Sequence, residues 1–141
     1  MRYLLIVLAV AGMIVSSLAL REHYRTETSP CSINAKWDCG IVNKSVYAVF
    51  MGVPVAVIGI AGYLMIGFLA WRRMYRLLLA AVLAALGFSL YLTHIEATIL
   101  EVWCIYCVMS LCIISLLNLL VMGTVIAQRF TKSALAQAPS Q

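Results

Sequence analysis

Charged residues are scarce in this chain of 141 residues: they make up 11% of it, against roughly 25% in ordinary globular proteins. Acidic residues are scarcer than basic ones, with five Asp and Glu against ten Lys and Arg, while 65% of the residues are hydrophobic. A soluble domain could not bury so much apolar surface, so a soluble globular fold is excluded. The basic residues lie at the ends of apolar runs, which is typical of membrane orientation and not of a nucleic-acid-binding face.

Linker-forming and metal-ligating residues are also few. The chain has three Pro and no low-complexity run, so nothing divides residues 1–130, which we interpret as one membrane domain. Only the polar tail, residues 131–141, is predicted to be disordered. There are two His, no second C-x-x-C and no H-x-x-x-H, which argues against a zinc site.

What the chain has in abundance is long apolar runs. Four of them approach the roughly 20 residues that a helix needs to cross a bilayer, and backbone groups in hydrocarbon must be bonded within their own segment. The sequence therefore predicts an all-α integral membrane protein, a bundle of four transmembrane helices. The helices are predicted over residues 3–20, 46–71, 77–95 and 103–127. The first run, with Arg2 before it and Ser17-Leu18-Ala19 near its end, could also be a signal peptide, but it is longer than usual and we favour a retained helix.

The basic residues predict the orientation of the bundle. Six of them lie beside the termini and in the shortest loop: Arg2, Arg72, Arg73, Arg76, Arg129 and Lys132. The long first loop has four, and the loop over residues 96–102 has none. The positive-inside rule then places both termini in the cytoplasm and the first and third loops outside. Every cysteine in those loops lies on the oxidising side, where disulfides persist.

Cys104 and Cys107 form a C-x-x-C at the start of the fourth predicted helix. Three residues nearly complete a helical turn, so both sulfurs point the same way, with Cys107 deeper. The partial positive charge of the helix N-terminus is expected to lower the pKa of Cys104, which makes it reactive in disulfide exchange. The alternatives are structural thiols or a metal site formed by Cys104, Cys107 and His94.

Cys31 and Cys39 lie in the polar first loop, between Pro30 and Gly40. They could form a disulfide that only staples the loop, or they could exchange with the C-x-x-C pair as a relay. Cys112, among apolar neighbours, is interpreted as a buried packing residue.

Other polar and aromatic residues near the predicted helix ends receive default interpretations. Glu96 and Glu101 are expected to be solvated near the headgroups, and His94 to be an interfacial polar residue. Aromatic residues at the ends should form the usual interfacial belt: Trp37, Trp71, Trp103, Tyr47 and Tyr91.

With these residues in place, the chain resembles the bacterial branch of the vitamin K epoxide reductase family. The resemblance lies in the Cys31/Cys39 spacing, the stretch from Asp38 to Tyr47, and Cys104-Ile105-Tyr106-Cys107 followed by Ser110. Between them come Gly52-Val53-Pro54-Val55, Gly59, Gly62 and Tyr63. Disulfide-forming proteins of the DsbB type carry the C-x-x-C in the first outer loop, the reverse of the order here.

The resemblance implies a thiol:quinone oxidoreductase of the bacterial inner membrane, with its active cysteines on the extracytoplasmic side. Electrons would pass from a thioredoxin-fold partner of the DsbA type through Cys31 and Cys39 to Cys104 and Cys107. A quinone, either ubiquinone or menaquinone (the vitamin K type), would then receive them from Cys107. Because residue 141 follows the last helix closely, the resemblance implies a separate partner in place of a fused thioredoxin domain.

The resemblance also implies a cofactor-binding set of Cys107, Ser110, Leu111 and Ala48. At two of these positions the chain departs from the animal enzymes: Leu111 stands in place of a tyrosine, and Ala48 in place of an asparagine. Reduction of vitamin K or its epoxide is therefore the alternative activity. A non-redox metal-binding protein and an assembly factor with a merely stapled loop are alternatives from other classes.

Overall fold

A computed structural model describes residues 1–136 of the chain. Four long helices form a bundle, which confirms the predicted fold class. In chain order the elements are α1 (Arg2–Tyr24), α2 (Cys39–Lys44), a 3-10 turn (Val46–Ala48), β1 (Val49–Phe50), β2 (Val53–Pro54), α3 (Val55–Trp71), α4 (Tyr75–Ile95), a π-helical turn (Glu96–Leu100) and α5 (Ile105–Ala136). Helix α1 packs on α3 and α5, and α4 packs on the same two helices.

Three segments are long and apolar enough to cross a membrane: Arg2–Tyr24, Tyr75–Leu100 and Ile105–Ser133. The fourth, α3, is apolar but has only 17 residues, a length of about 26 Å against a hydrocarbon layer of about 30 Å. Large apolar side chains also point away from the bundle on every long helix, for example Val7, Phe68 and Leu119. An apolar exterior of this kind suits lipid as the solvent.

The packed core fills the half of the bundle that holds the turn between α3 and α4. It contains Leu5 and Ala9 from α1, Tyr63, Ile66 and Ala70 from α3, Leu78 and Val82 from α4, and Ile114, Leu117 and Val121 from α5. Asn118 ties α5 to α4 in this region, because its side-chain amide donates to the Val82 carbonyl at 2.8 Å. Polar side chains that bond across helices in this way stabilise the packing of membrane helices.

Glycine allows α1 and α3 to approach closely. A Cβ at Gly12 would lie 2.2 Å from the Tyr63 ring, and one at Gly59 would lie 2.8 Å from the Ser16 hydroxyl. These contacts place the Tyr63 ring directly against the α1 backbone. Gly12 therefore helps to set the position of the Tyr63 hydroxyl.

The second predicted helix, residues 46–71, was wrong at its start. Helix α3 begins at Val55, and the preceding residues form the 3-10 turn and a two-stranded hairpin that pairs Val49 with Pro54. The hairpin turn places Met51 and Gly52 at positive φ, which a helix cannot accommodate. Pro54 lacks a backbone N–H and so fits just before the first helical residue.

The last predicted helix was too short. Helix α5 continues past residue 127 to Ala136, so the prediction of disorder is wrong for residues 131–136. The rest of the predicted tail, residues 137–141, lies outside the described residues. The other two predicted helices, 3–20 and 77–95, differ from α1 and α4 by a few residues at their ends.

Candidate functional site

The loop cysteines form a disulfide at the start of α2. Cys31 and Cys39 are joined with a Cα–Cα distance of 5.6 Å, and Cys39 is the first residue of α2. Asp38 caps this helix by accepting hydrogen bonds from the backbone of Gly40 (2.8 Å) and Ile41 (3.1 Å). The Ser32 hydroxyl donates to the same carboxylate, and this bond is the main reason that the pKa of Asp38 is lowered.

The first loop is fastened to the third loop by backbone pairing. The Asp38 N–H donates to the Trp103 carbonyl at 3.1 Å, and the Trp103 N–H donates to the Lys36 carbonyl at 2.8 Å. The rings of Trp37 and Trp103 lie with centroids 6.3 Å apart. These two tryptophans therefore join the loops, a role that the predicted interfacial belt did not include. Since Asp38 precedes Cys39 and Trp103 precedes Cys104, the pairing brings the two cysteines to the same place.

Cys39 and Cys104 lie in one buried cluster. Both are fully buried, and Cys31 and Val42 complete the cluster. Cys31 retains 6% exposure, so it is the more accessible half of the loop disulfide. The structure thus brings together all the predicted catalytic cysteines, because Cys107 packs against this cluster from the first turn of α5.

Cys104 and Cys107 are free thiols three residues apart at the start of α5. The Cys107 thiol is the largest cause of the lowered pKa of Cys104, and the backbone N–H groups of Cys107 and Tyr106 add to it. The direction agrees with the sequence-based expectation. The helix N-terminus contributes, but the Cys107 thiol matters more.

Asn43 connects the two cysteine pairs and was not identified from the sequence. Its side-chain amide donates to the Cys39 carbonyl at 2.8 Å and to the Cys104 sulfur at 3.4 Å. The residue is 8% exposed, and the ring of His23 contacts its backbone carbonyl. A signal was present, since Asn43 follows Cys39 by one helical turn, but a six-residue helix is difficult to predict from such a short polar stretch.

Glu96 is buried at the cysteines, so the expectation of a solvated headgroup residue was wrong. It is 3% exposed, and its Oε2 accepts a hydrogen bond from the Cys104 N–H at 3.1 Å. Glu96 and Cys107 also line one cavity. Burial follows from the π-helical turn that begins at Glu96, which widens the end of α4 and directs this side chain towards the start of α5.

A cavity of about 340 Å³ occupies the bundle directly below the cysteines. Its walls are mostly apolar, and its polar lining includes Cys107, Ser110, Glu96 and Tyr63. The Tyr63 hydroxyl donates to the Ser110 carbonyl at 3.1 Å and lies 2.9 Å from the Ser110 hydroxyl.

Of the residues predicted to bind a cofactor, three line this cavity: Cys107, Ser110 and Ala48. Leu111 instead packs against the bundle core. An apolar chamber with a thiol, a carboxyl and hydroxyls at one end suits a quinone, whose ring is apolar and whose two oxygens accept protons.

Two further predictions concern residues outside this arrangement. Cys112 is exposed on the outer face of α5, so its interpretation as a buried residue was wrong, although it remains apart from the cysteine cluster. His94 is also exposed. Across residues 1–136, no group of three or more His, Cys, Asp and Glu side chains is placed to hold a metal ion.

Comparison with known proteins gives one family match. The family model described as the vitamin K epoxide reductase family matches residues 3–122 of the chain. The matched range includes nearly all of α1, the whole of α3 and α4, α5 as far as Met122, both cysteine pairs and all the cavity residues named above.

Proposed function

The chain belongs to the vitamin K epoxide reductase family, and from this premise we propose that it is a thiol:quinone oxidoreductase that supports disulfide formation. Family membership carries the coarser statement that the chain is a membrane oxidoreductase of disulfide chemistry. One observation supports the finer proposal most strongly: Asn43 hydrogen-bonds to both Cys39 and Cys104. The two cysteine pairs therefore share one buried site whose inner end faces the cavity.

The loop disulfide is the proposed acceptor of electrons from a protein. A thiolate of a reduced thioredoxin-fold partner attacks Cys31, the more accessible sulfur, and Cys39 leaves. The partner's second thiol then attacks the partner sulfur of the mixed disulfide, which releases an oxidised partner and a Cys31/Cys39 dithiol. Two electrons and two protons have then moved from the partner to the loop.

Transfer to the inner pair is a second exchange. The Cys39 thiolate attacks Cys104 of a Cys104–Cys107 disulfide, and Cys31 then resolves the Cys39–Cys104 bond. This regenerates the loop disulfide and leaves two inner thiols, which is the arrangement seen in the structure. Cys107 is the leaving thiolate when Cys39 attacks Cys104, and Cys104 is the leaving thiolate when Cys31 attacks Cys39. The lowered pKa of Cys104 favours this second step, since a stable thiolate leaves faster.

The cavity is the proposed quinone site, with Cys107, Ser110 and Ala48 in its wall. A bound quinone accepts two electrons and two protons as the inner thiols return to a disulfide. Tyr63 orients Ser110 through their hydrogen bonds, and the apolar walls exclude water from the thiols. We do not extend the proposal to epoxide reduction, because Leu111 and Ala48 supply neither the hydroxyl nor the amide found in the animal enzymes.

The proposed location is the bacterial inner membrane, with both termini in the cytoplasm. The exposed Arg72, Arg73 and Arg76 lie at the end of the bundle opposite the cysteines. The positive-inside rule then places both cysteine pairs on the extracytoplasmic side. A periplasmic protein of the DsbA type can reach them there.

Quinone reduction by the purified protein tests the proposal, with two reductants compared. Dithiothreitol is small enough to reduce the inner pair directly, whereas a reduced thioredoxin-fold protein must use the loop. Cys104→Ala and Cys107→Ala should therefore lose activity with both reductants. Cys31→Ala and Cys39→Ala should lose activity with the protein and keep part of it with dithiothreitol.

Cys112→Ala is the matched control, since it removes a thiol from the same helix outside the cluster and should retain most activity. Absence of quinone reduction by the unaltered protein with either reductant would contradict the proposed function. Equal loss in the loop variants with both reductants would contradict the order of the relay.

A further inference from the structure

We propose that Glu96 is the acid–base residue that carries a proton between the inner cysteines and the quinone cavity. The inference rests on the proposed function and assigns a role to a side chain that the disulfide relay does not use. Three features of its position support it: Glu96 accepts a hydrogen bond from the Cys104 N–H, it lines the cavity together with Cys107, and it is closed off from bulk water.

The geometry places the carboxyl beside the inner cysteines and at the cavity. Oε2 is fixed by the Cys104 N–H at 3.1 Å, and Glu96 and Cys107 line the same cavity. A general base must lie within hydrogen-bond reach of the proton that it removes, directly or through one water. Glu96 is placed to serve Cys107, the cysteine that faces the cavity.

The surroundings of Glu96 also favour proton exchange over a structural ion pair. Within residues 1–136, the ion pair that forms joins Arg25 to Glu22 and does not involve Glu96. A buried carboxylate without a cationic partner is costly to keep charged. A group that gains and loses a proton during turnover avoids a permanently buried charge.

Two inner thiols and one quinone become one disulfide and one hydroquinone. One electron pair of the two S–H bonds becomes the new S–S bond between Cys104 and Cys107, and the other pair passes to the quinone. The proton of Cys107 passes to the Glu96 carboxylate and from there to a quinone oxygen. The second proton, from Cys104, completes the hydroquinone, and Glu96 returns to its starting state.

Glu96→Gln is the decisive variant, because glutamine can still accept the Cys104 N–H bond but cannot carry the proton. With dithiothreitol as reductant we expect quinone reduction to fall about 10²-fold, the lower end of a general acid–base contribution of about 10² to 10⁴. Glu96→Asp should recover part of the rate. Glu101→Gln is the matched control, since Glu101 lies on the same loop but is exposed, and it should behave like the unaltered protein.

A second readout needs no quinone. Infrared difference spectra of the solubilised protein compare the form in which Cys104 and Cys107 are thiols with the form in which they are joined as a disulfide. These spectra should contain a carbonyl band from a carboxyl group whose protonation changes when the two cysteines are oxidised. The band should vanish in Glu96→Gln and remain in Glu101→Gln. An intact Cys31–Cys39 disulfide and unchanged helical content establish that the variants are folded.

The inference would be overturned by an infrared band that persists in Glu96→Gln. It would also be overturned if the turnover rate of Glu96→Gln lay within about three-fold of the rate of the unaltered protein, because a small loss of this size is what a purely positional role would give. Failure of the proposed function is distinguishable, because the unaltered protein would then reduce no quinone while the infrared band still reports on Glu96.

Discussion

Removal of the Asn43 amide should slow electron transfer between the two cysteine pairs more than any other step. Asn43→Ala deletes the hydrogen bonds to the Cys39 carbonyl and to the Cys104 sulfur. A neutral hydrogen bond contributes about 0.5–1.5 kcal/mol and one to a charged group about 1.5–3 kcal/mol. If the sulfur carries charge as it leaves, the two bonds together are worth about 2–4 kcal/mol. Since 1.4 kcal/mol is about ten-fold in rate, we expect a loss of at least ten-fold and up to several hundred-fold.

The assay compares the two reductants on the same quinone. With a reduced thioredoxin-fold protein the rate should fall by that factor. With dithiothreitol, which bypasses the loop, it should fall less than about three-fold. Asn34→Ala is the matched control, because it also removes two hydrogen bonds in the first loop, to the N–H groups of Lys36 and Trp37, but none to a cysteine. Equal losses with both reductants, or an equal loss in Asn34→Ala, would refute the positioning role of Asn43.

Two further predictions follow from the packing and the electrostatics. Gly12→Ala should displace Tyr63, whose ring would lie 2.2 Å from the new Cβ, so quinone reduction and thermal stability should both fall. Gly87→Ala is the control, with nothing within 4 Å of its Cβ, and should leave both unchanged. A Gly12→Ala protein with unchanged activity and thermal stability would contradict the packing. Cys107→Ala should shift the pH midpoint of Cys104 alkylation upwards, because the lost thiol is the main cause of the lowered pKa of Cys104. Both proteins compared carry Cys31→Ala, Cys39→Ala and Cys112→Ala, so that Cys104 cannot form a disulfide with the loop. An unchanged or lower midpoint would show that the helix N-terminus dominates.

The sequence was sufficient to predict the long helices but not all of their ends. Apolar runs of membrane length identify α1, α4 and α5, since lipid leaves the backbone few alternatives to a helix. The start of α3 depends on the positive φ angles of Met51 and Gly52 in the preceding turn. The hydrophobicity of a segment gives no information about such backbone angles. The end of α5 is similar, because polar residues after Arg129 are equally compatible with an exposed helix and with a coil.

The site was predictable where residue type indicates chemistry and unpredictable where burial depends on tertiary contacts. The cysteines could be selected by spacing and by their position at predicted helix ends. Glu96 could not, because its inward orientation follows from a π-helical turn, and charged residues near a membrane boundary are solvated by default. Trp37 and Trp103 show the same limit, since each fits an interfacial belt until the backbone pairing of the two loops is known.

The central claim is that Cys39 and Cys104 exchange directly, and Cys107→Ala tests it most directly. In this variant the Cys104 thiolate can attack the Cys31–Cys39 disulfide, and no neighbouring cysteine remains on α5 to resolve the product. Peptide mapping of the unreduced protein, in a background that also carries Cys112→Ala, should find a Cys39–Cys104 bond and a free Cys31. The bond requires the two Cα atoms to approach within about 7 Å, which the shared buried cluster favours. A Cys31–Cys104 bond would reverse the roles of the loop cysteines, and the absence of any bond between the loop and α5 would contradict the relay.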